Sequence, residues 1–169
     1  MFRDFPYLYE GDFDYERRYL ATYIRAPGAV VIGAFDDGQL VGAATASPLA
    51  DHFEEFASPF ATHGLDVGAF FYFGESVLKR EMRGRGIGVR FFEERERAAH
   101  EAGFSRCVFS AVVRPADHPA RPQAYVPLDE FWTRRGYARI KGLSTGFSWR
   151  DIGDERETIK PMEFWQKRL

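Results

Sequence analysis

Apolar positions along this chain change period several times, and each change marks an element. After Gly11, "DFDYERRYLATYIRA" sets Tyr15, Tyr19 and Tyr23 four residues apart, with Leu20 and Ile24 as a parallel stripe. That spacing predicts a helix, with Asp12 or Asp14 as its N-cap and Pro27-Gly28 as its stop. "AVVIGAF" and "QLVGAATA" flank Asp36-Asp37-Gly38, the composition of a β-hairpin. "DHFEEFASPFATHG" predicts a short helical or irregular stretch broken by Pro59, and "GAFFYFGESVLKR" an aromatic, β-branched strand.

From Ile87 to Ala102 the period returns to that of a helix. Ile87, Phe91, Ala98 and Ala102, joined by Phe92 and Ala99, form the apolar side. Arg90, Glu93, Glu94, Glu96, Arg97 and Glu101 form the charged side, with Glu93 and Arg97 spaced as an ion pair. Gly103 stands where a helix-terminating glycine belongs. "SRCVFSAVVR" predicts a second buried strand, so the segment reads strand–helix–strand, which favours parallel pairing across a right-handed crossover. A loop with four prolines, "PADHPARPQAYVP", follows. "LDEFWTRRGYARI" predicts a short helix, a stop at Gly136 and an outgoing strand, and "LSTGFSWRDI" and "IKPMEFWQKRL" are strand-like.

Composition narrows the function classes. A chain of 169 residues, 45% hydrophobic, is long enough for one core and short for two, so a single domain over 1–169 is expected. An aromatic share of 17% predicts a dense core and an apolar groove. With 23 basic and 25 acidic residues interspersed and a net charge of −2, nucleic acid is not an expected partner. The single cysteine, Cys107, lies in an apolar strand and reads as structural. No long apolar span, signal peptide or lipidation pattern occurs, so the expected location is the cytoplasm, without membrane association.

The chemistry-bearing stretch is "RGRGIG", from Arg83 to Gly88, directly between the predicted strand and helix. A helix N-terminus presents N–H groups without partners and a partial positive charge. A glycine-rich turn ahead of it can gather further N–H groups on one anion, and arginines add charge. Two familiar phosphate loops fail on spacing. No Gly-Lys-Ser/Thr ending occurs, and the third glycine falls one residue early for G-x-G-x-x-G. From the residues alone the turn is either an anion cradle of neither familiar type or a flexible basic turn that starts a helix, and its place between a strand and a strongly amphipathic helix weakens the second reading.

"Arg83-x-x-Gly86-x-Gly88" after "ESVLKREM" resembles the acyl-coenzyme A binding motif of the GNAT N-acyltransferase superfamily, [R/Q]-x-x-G-x-[G/A]. "FWTRRGY" is similar to that family's second signature. The resemblance runs from about Ala29 to Phe147. It implies an α+β fold, a twisted mixed α/β sheet flanked by helices, in which two central parallel strands splay apart. It further implies acetyl-CoA as acyl donor, pantetheine bonded by the backbone of Ser76, Val77 and Leu78, and pyrophosphate held by the N–H groups of Arg83, Gly84, Arg85, Gly86, Ile87 and Gly88. The implied reaction is transfer of an acetyl group to a primary amine of a small molecule or protein. The alternative is an acyl-CoA sensor of the same fold without turnover. A homodimer is common among relatives.

Direct attack needs a neutral amine, although a lysine-type amine has a pKa of about 10.4, so a base must take a proton. Glu75, in an aromatic stretch where burial would raise its pKa, is the candidate base. The leaving thiolate, with a free pKa of about 8.5, gains from an acid. Trp132 occupies the family tyrosine's usual place, and an indole N–H is no proton acid. Tyr125 is therefore the candidate acid, with Tyr72 behind it and solvent as the other source. The start "MFRDFPYLYEGDF" is shorter than the family's usual first helical segment, so the acceptor wall is expected to differ. Asp117-His118 reads as a turn or a substrate contact. His52, His63, His100 and His118 are too scattered for metal spacing, and no metal is expected.

Overall fold

In a computed structural model of the chain, which describes residues 2–51 and 54–169, six strands form one sheet. Helix α1 spans Phe13–Arg25, β1 Val30–Asp36, β2 Gln39–Pro48, α2 Glu54–Thr62 and β3 Phe70–Leu78. Then come α3, Ile87–Glu101, β4, Arg106–Val112, α4, Asp129–Thr133, β5, Ala138–Trp149, and β6, Thr158–Arg168. The strand order is β1-β2-β3-β4-β6-β5. Only β3 and β4 are parallel, joined across α3, and every other neighbour pair is antiparallel. This is the mixed, helix-flanked sheet that the family resemblance implied, with the parallel pair where the strand–helix–strand pattern put it. His52 lies outside the described residues.

Alternation along β3 divides the core. Phe71 and Phe73 pack with Phe92, Phe109, Tyr137 and Trp165 on the α3 side. Phe70 and Tyr72 pack with Phe56 and Phe60 of α2, and with Phe164, on the other. Asp12 caps α1 by accepting from the Tyr15 N–H at 2.7 Å.

Several expectations need correction. Pro59 sits inside α2 without breaking it, because the Glu55 carbonyl, which loses its helical N–H to the proline, accepts from the Thr145 hydroxyl at 2.7 Å instead. The Glu93–Arg97 pair does not form, since Arg97 bonds Glu94 and Glu101 while Glu93 bonds Arg90. Ala102 is exposed beyond the end of α3. Leu20 and Ile24 are exposed on α1, because only the Tyr19–Tyr23 stripe meets the sheet.

Candidate active site

The parallel pair opens into a fork. Registered partners are Phe70↔Arg106, Phe71↔Cys107 and Tyr72↔Val108, and there the pairing ends although both strands continue. Past Tyr72, one side of β3 has no neighbouring strand, and Ser76, Val77 and Leu78 lie on this unpaired stretch. At the point of divergence the Tyr72 and Ser110 hydroxyls meet at 2.7 Å across the gap.

Beyond the fork the glycine turn takes the conformation its sequence allows. Gly84 and Gly86 have φ of +76° and +81°, the left-handed region that a side chain disfavours, and an added Cβ would meet nothing within 4 Å at either. Their requirement is conformational rather than a matter of packing. Gly88 is an ordinary helical residue, its ideal Cβ 3.7 Å from Phe131. Gly86 caps α3 without a side-chain bond, and its carbonyl accepts from the Val89 and Arg90 N–H groups. The N–H groups of residues 84–88 donate to no group among the described residues, whereas the Arg83 N–H is used by the Arg80 carbonyl at 3.1 Å. The guanidinium groups of Arg80 and Arg83 both hold Asp4, at 2.6 and 3.1 Å. Burial would raise the Asp4 pKa, but the two arginines outweigh it and hold it below the usual range. Arg85 is exposed and pairs with no described carboxylate.

Glu75 lies on the other side of the fork, placed there by a bulge. Ala46 faces Phe73 and Ala44 faces Ser76, so Gly74 and Glu75 together oppose Thr45 alone. The extra residue reverses the alternation and turns Glu75 to the face that carries Tyr72. The Thr45 hydroxyl fills the bulge, accepting the Glu75 N–H at 2.9 Å. At Gly74 a Cβ would come within 2.0 Å of the Tyr23 hydroxyl and 2.7 Å of the Thr45 hydroxyl, so this glycine is required by close approach. Tyr23 also bonds Thr45 and meets the Tyr19 hydroxyl at 3.1 Å, and Tyr19 in turn bonds the Glu75 carboxyl.

Glu75 opens into a cavity of about 570 Å³ bounded by the N-terminal segment, α1, β3, β5 and the β5–β6 turn. Its pKa is pushed up to about 7, chiefly by burial. The Tyr19 bond opposes that rise, the Glu16 charge adds to it, and Arg95 opposes it. Such a carboxyl group can both take and return a proton near neutrality. Tyr7 and Tyr72 line the same cavity, and burial raises the pKa of both above the phenol range.

The other sequence candidates are elsewhere. Tyr125 is not a wall of this cavity. It packs edge-on against Phe5 at 4.7 Å, under the Arg121 guanidinium, and burial raises its pKa. Trp132 is inserted between Phe109 and Trp165, each at 5.1 Å, in the aromatic core. His118 closes a turn by accepting the Ala120 N–H at 3.1 Å. Cys107 is buried, its pKa pushed up to about 12 by desolvation. No group of three or more metal-capable side chains occurs among the described residues, and none of their helices is long and apolar enough to cross a membrane.

Arg95 escaped the sequence reading. It is 1% exposed, donates to the carbonyls of Phe91 and Thr45, and stacks 4.4 Å above the Phe73 ring. The signal was there, since Arg95 lies four residues from both Phe91 and Ala99 on the apolar stripe. Gly74, isolated within a strand pattern, likewise signals a bulge.

The model of the acetyltransferase (GNAT) family matches residues 2–124. The chain belongs to that family. No curated protein matches by sequence, but solved structures share the fold. A ribosomal-protein-alanine N-acetyltransferase from Brucella melitensis superposes with a TM-score of 0.59 at 19% identity, over 94% of this chain and 80% of the other. An aminoglycoside 6'-N-acetyltransferase complexed with coenzyme A gives 0.58 at 15%, over 92% and 80%. A GNAT family acetyltransferase from Elizabethkingia anophelis with acetyl-CoA bound gives 0.56 at 10%, over 96% and 86%. As a GNAT acetyltransferase, the chain has its forked strands and glycine turn in the part that the family model covers.

Proposed function

We propose that this acetyltransferase moves an acetyl group from acetyl-CoA to an amine by direct attack, with Glu75 as the base. The observation that carries the reading is the pairing of unpartnered N–H groups at residues 84–88 with a carboxyl group of pKa about 7 across the same fork. Five adjacent N–H groups at a helix N-terminus suit a pyrophosphate, and Arg85 adds charge. Arg83 contributes no N–H and has its side chain on Asp4. The unpaired stretch Ser76, Val77 and Leu78 offers main-chain bonds to the pantetheine arm and to the thioester carbonyl.

Transfer forms a C–N bond and breaks the C–S bond of the thioester. The amine enters from the cavity and loses a proton to the Glu75 carboxylate, which Tyr19 and the bulge hold in place. The thiolate then takes up one proton. The hydroxyls of Tyr7 and Tyr72 have pKa values raised by burial, so each holds its proton and can offer the sulfur no more than a hydrogen bond, while Tyr125 lies outside the cavity. Solvent, or the acid form of Glu75 after the amine has reacted, is the better proton source. A carboxyl group poised this way favours turnover over a sensor.

Thiol release from acetyl-CoA with a panel of amines tests the reading. Glu75→Gln should lower kcat by about 100-fold or more, in the range for loss of a general base, while acetyl-CoA binding persists. Equal rates for the two proteins across pH would remove Glu75 from the mechanism.

A further inference from the structure

The charge lining the cavity points to the acceptor. Six carboxylates reach it: Glu10, Asp12 and Glu16 from the N-terminal segment and α1, Glu155 and Glu157 from the β5–β6 turn, and Glu75 at the fork. Only two guanidinium groups, of Arg18 and Arg150, share the lining. Some of the acids have local duties. Glu10 pairs with Arg3 at 2.7 Å, Asp12 caps α1, and Glu16 bonds the Tyr9 hydroxyl. Glu75, Glu155 and Glu157 pair with no cation among the described residues. Between the acids the lining is aromatic, with Tyr7, Tyr15, Phe147 and Trp149 among its residues. Aromatic faces and carboxylates attract the same guest, an organic ammonium ion with methylene or ring carbons between its charges.

One amine is enough for the transfer, and that amine must be neutral when it attacks. A monoamine would leave Glu155 and Glu157, both exposed and without a cation partner among the described residues, to water alone. We propose, building on the transfer reading above, that the acceptor is a small molecule carrying two or more ammonium groups. One nitrogen reaches Glu75 while another stays charged against Glu155 and Glu157. Placing those two acids on the outer turn, away from the fork, separates recognition from proton transfer. A cavity of about 570 Å³ is the size that holds a whole small molecule rather than a single side chain.

Spermidine and kanamycin represent the linear and the ring form of this chemistry, with butylamine as the monoamine. Two measurements are made on the full chain, thiol release from acetyl-CoA and calorimetric binding of each amine in the presence of CoA. At least one polyamine should exceed butylamine in kcat/KM by about 100-fold or more, and whichever form wins identifies the branch of the class. That advantage should shrink at least tenfold between 50 mM and 500 mM NaCl, because it is electrostatic. In a Glu155→Gln, Glu157→Gln double variant the polyamine-to-butylamine ratio should fall at least tenfold, mainly through KM. Butylamine used as well as either polyamine, or a ratio untouched in the double variant, overturns the acceptor class while leaving transfer intact. Polyamine binding that depends on Glu155 and Glu157, with no thiol released from any amine, would overturn the transfer reading and keep the recognition. Absence of both binding and preference overturns the proposal outright.

Discussion

Glu75 carries the pH behaviour of this molecule. Its pKa rises from 4.5 to about 7 on folding, so the carboxylate, the proposed proton acceptor, becomes the major form as pH passes neutrality, and the proposal predicts that kcat climbs through an inflection near pH 7. The same shift has a consequence for stability. The folded state binds the Glu75 proton more tightly than the unfolded chain does, so stability falls as pH rises from about 4.5 to about 7. Glu75→Gln should therefore melt higher than the parent at pH 8 by a few degrees, and not at pH 4. Tyr19 opposes the rise through its bond to the carboxyl group. Tyr19→Phe should move the kinetic inflection upward by about one pH unit, the size expected when a hydrogen bond to a charged group is lost. A merely structural tyrosine would lower activity without moving the inflection. Much of this was legible in the sequence. Glu75 stood out as an acid in an aromatic run, and Tyr19 and Tyr23 as a stripe. Their meeting was not legible, because it depends on a bulge whose only sequence trace is the isolated Gly74.

The elements that the sequence marked most clearly are those with long, unbroken periods. α1, the β1–β2 hairpin, β3, α3 and β4 follow their predicted spans closely, since each buries a face of regular spacing. The misreadings fall where tertiary contact overrides local pattern. α1 turns only one of its two apolar stripes to the sheet, and α3 buries Arg95 amid phenylalanines. The long loop between β4 and α4 is a further case. It supplied Tyr125 as a candidate acid, yet holds that ring on Phe5, outside the cavity. Tyr125→Phe should thus retain kcat within about threefold, checked by thiol release at saturating acetyl-CoA; a loss of 100-fold would return Tyr125 to the chemistry. Loop position could not be read from composition, because four prolines fix local turns without saying against what the loop packs.

At the scale of the whole molecule, the N-terminal segment is tied to both halves of the site. Asp4 bonds Arg80 and Arg83 beside the glycine turn, while Arg114 donates to the carbonyls of Pro6 and Tyr7 and grips Asp151 with both guanidinium nitrogens at 2.7 and 2.8 Å. Lys160 adds a second cation to Asp151 at 3.4 Å and bonds Thr158. Burial alone would raise the Asp151 pKa, but these cations hold it below the usual range, so its contribution is present at neutral pH and lost only in acid. Asp151→Ala would leave two buried cations facing each other and should cost about 3–5 kcal/mol. For a chain of this size that lowers Tm by roughly 10 °C, measurable by calorimetry at pH 7, with the loss smaller at pH 3. The most direct test of the whole account is acetyl-CoA affinity by titration calorimetry for the parent, Gly86→Val and Gly103→Val. Both glycines have φ above +80° and open space around an added Cβ, so the two substitutions carry similar backbone strain, but only Gly86 belongs to the turn of unpartnered N–H groups. Binding weakened at least 30-fold in Gly86→Val and unchanged in Gly103→Val is the predicted result; equal affinity in all three proteins would contradict it.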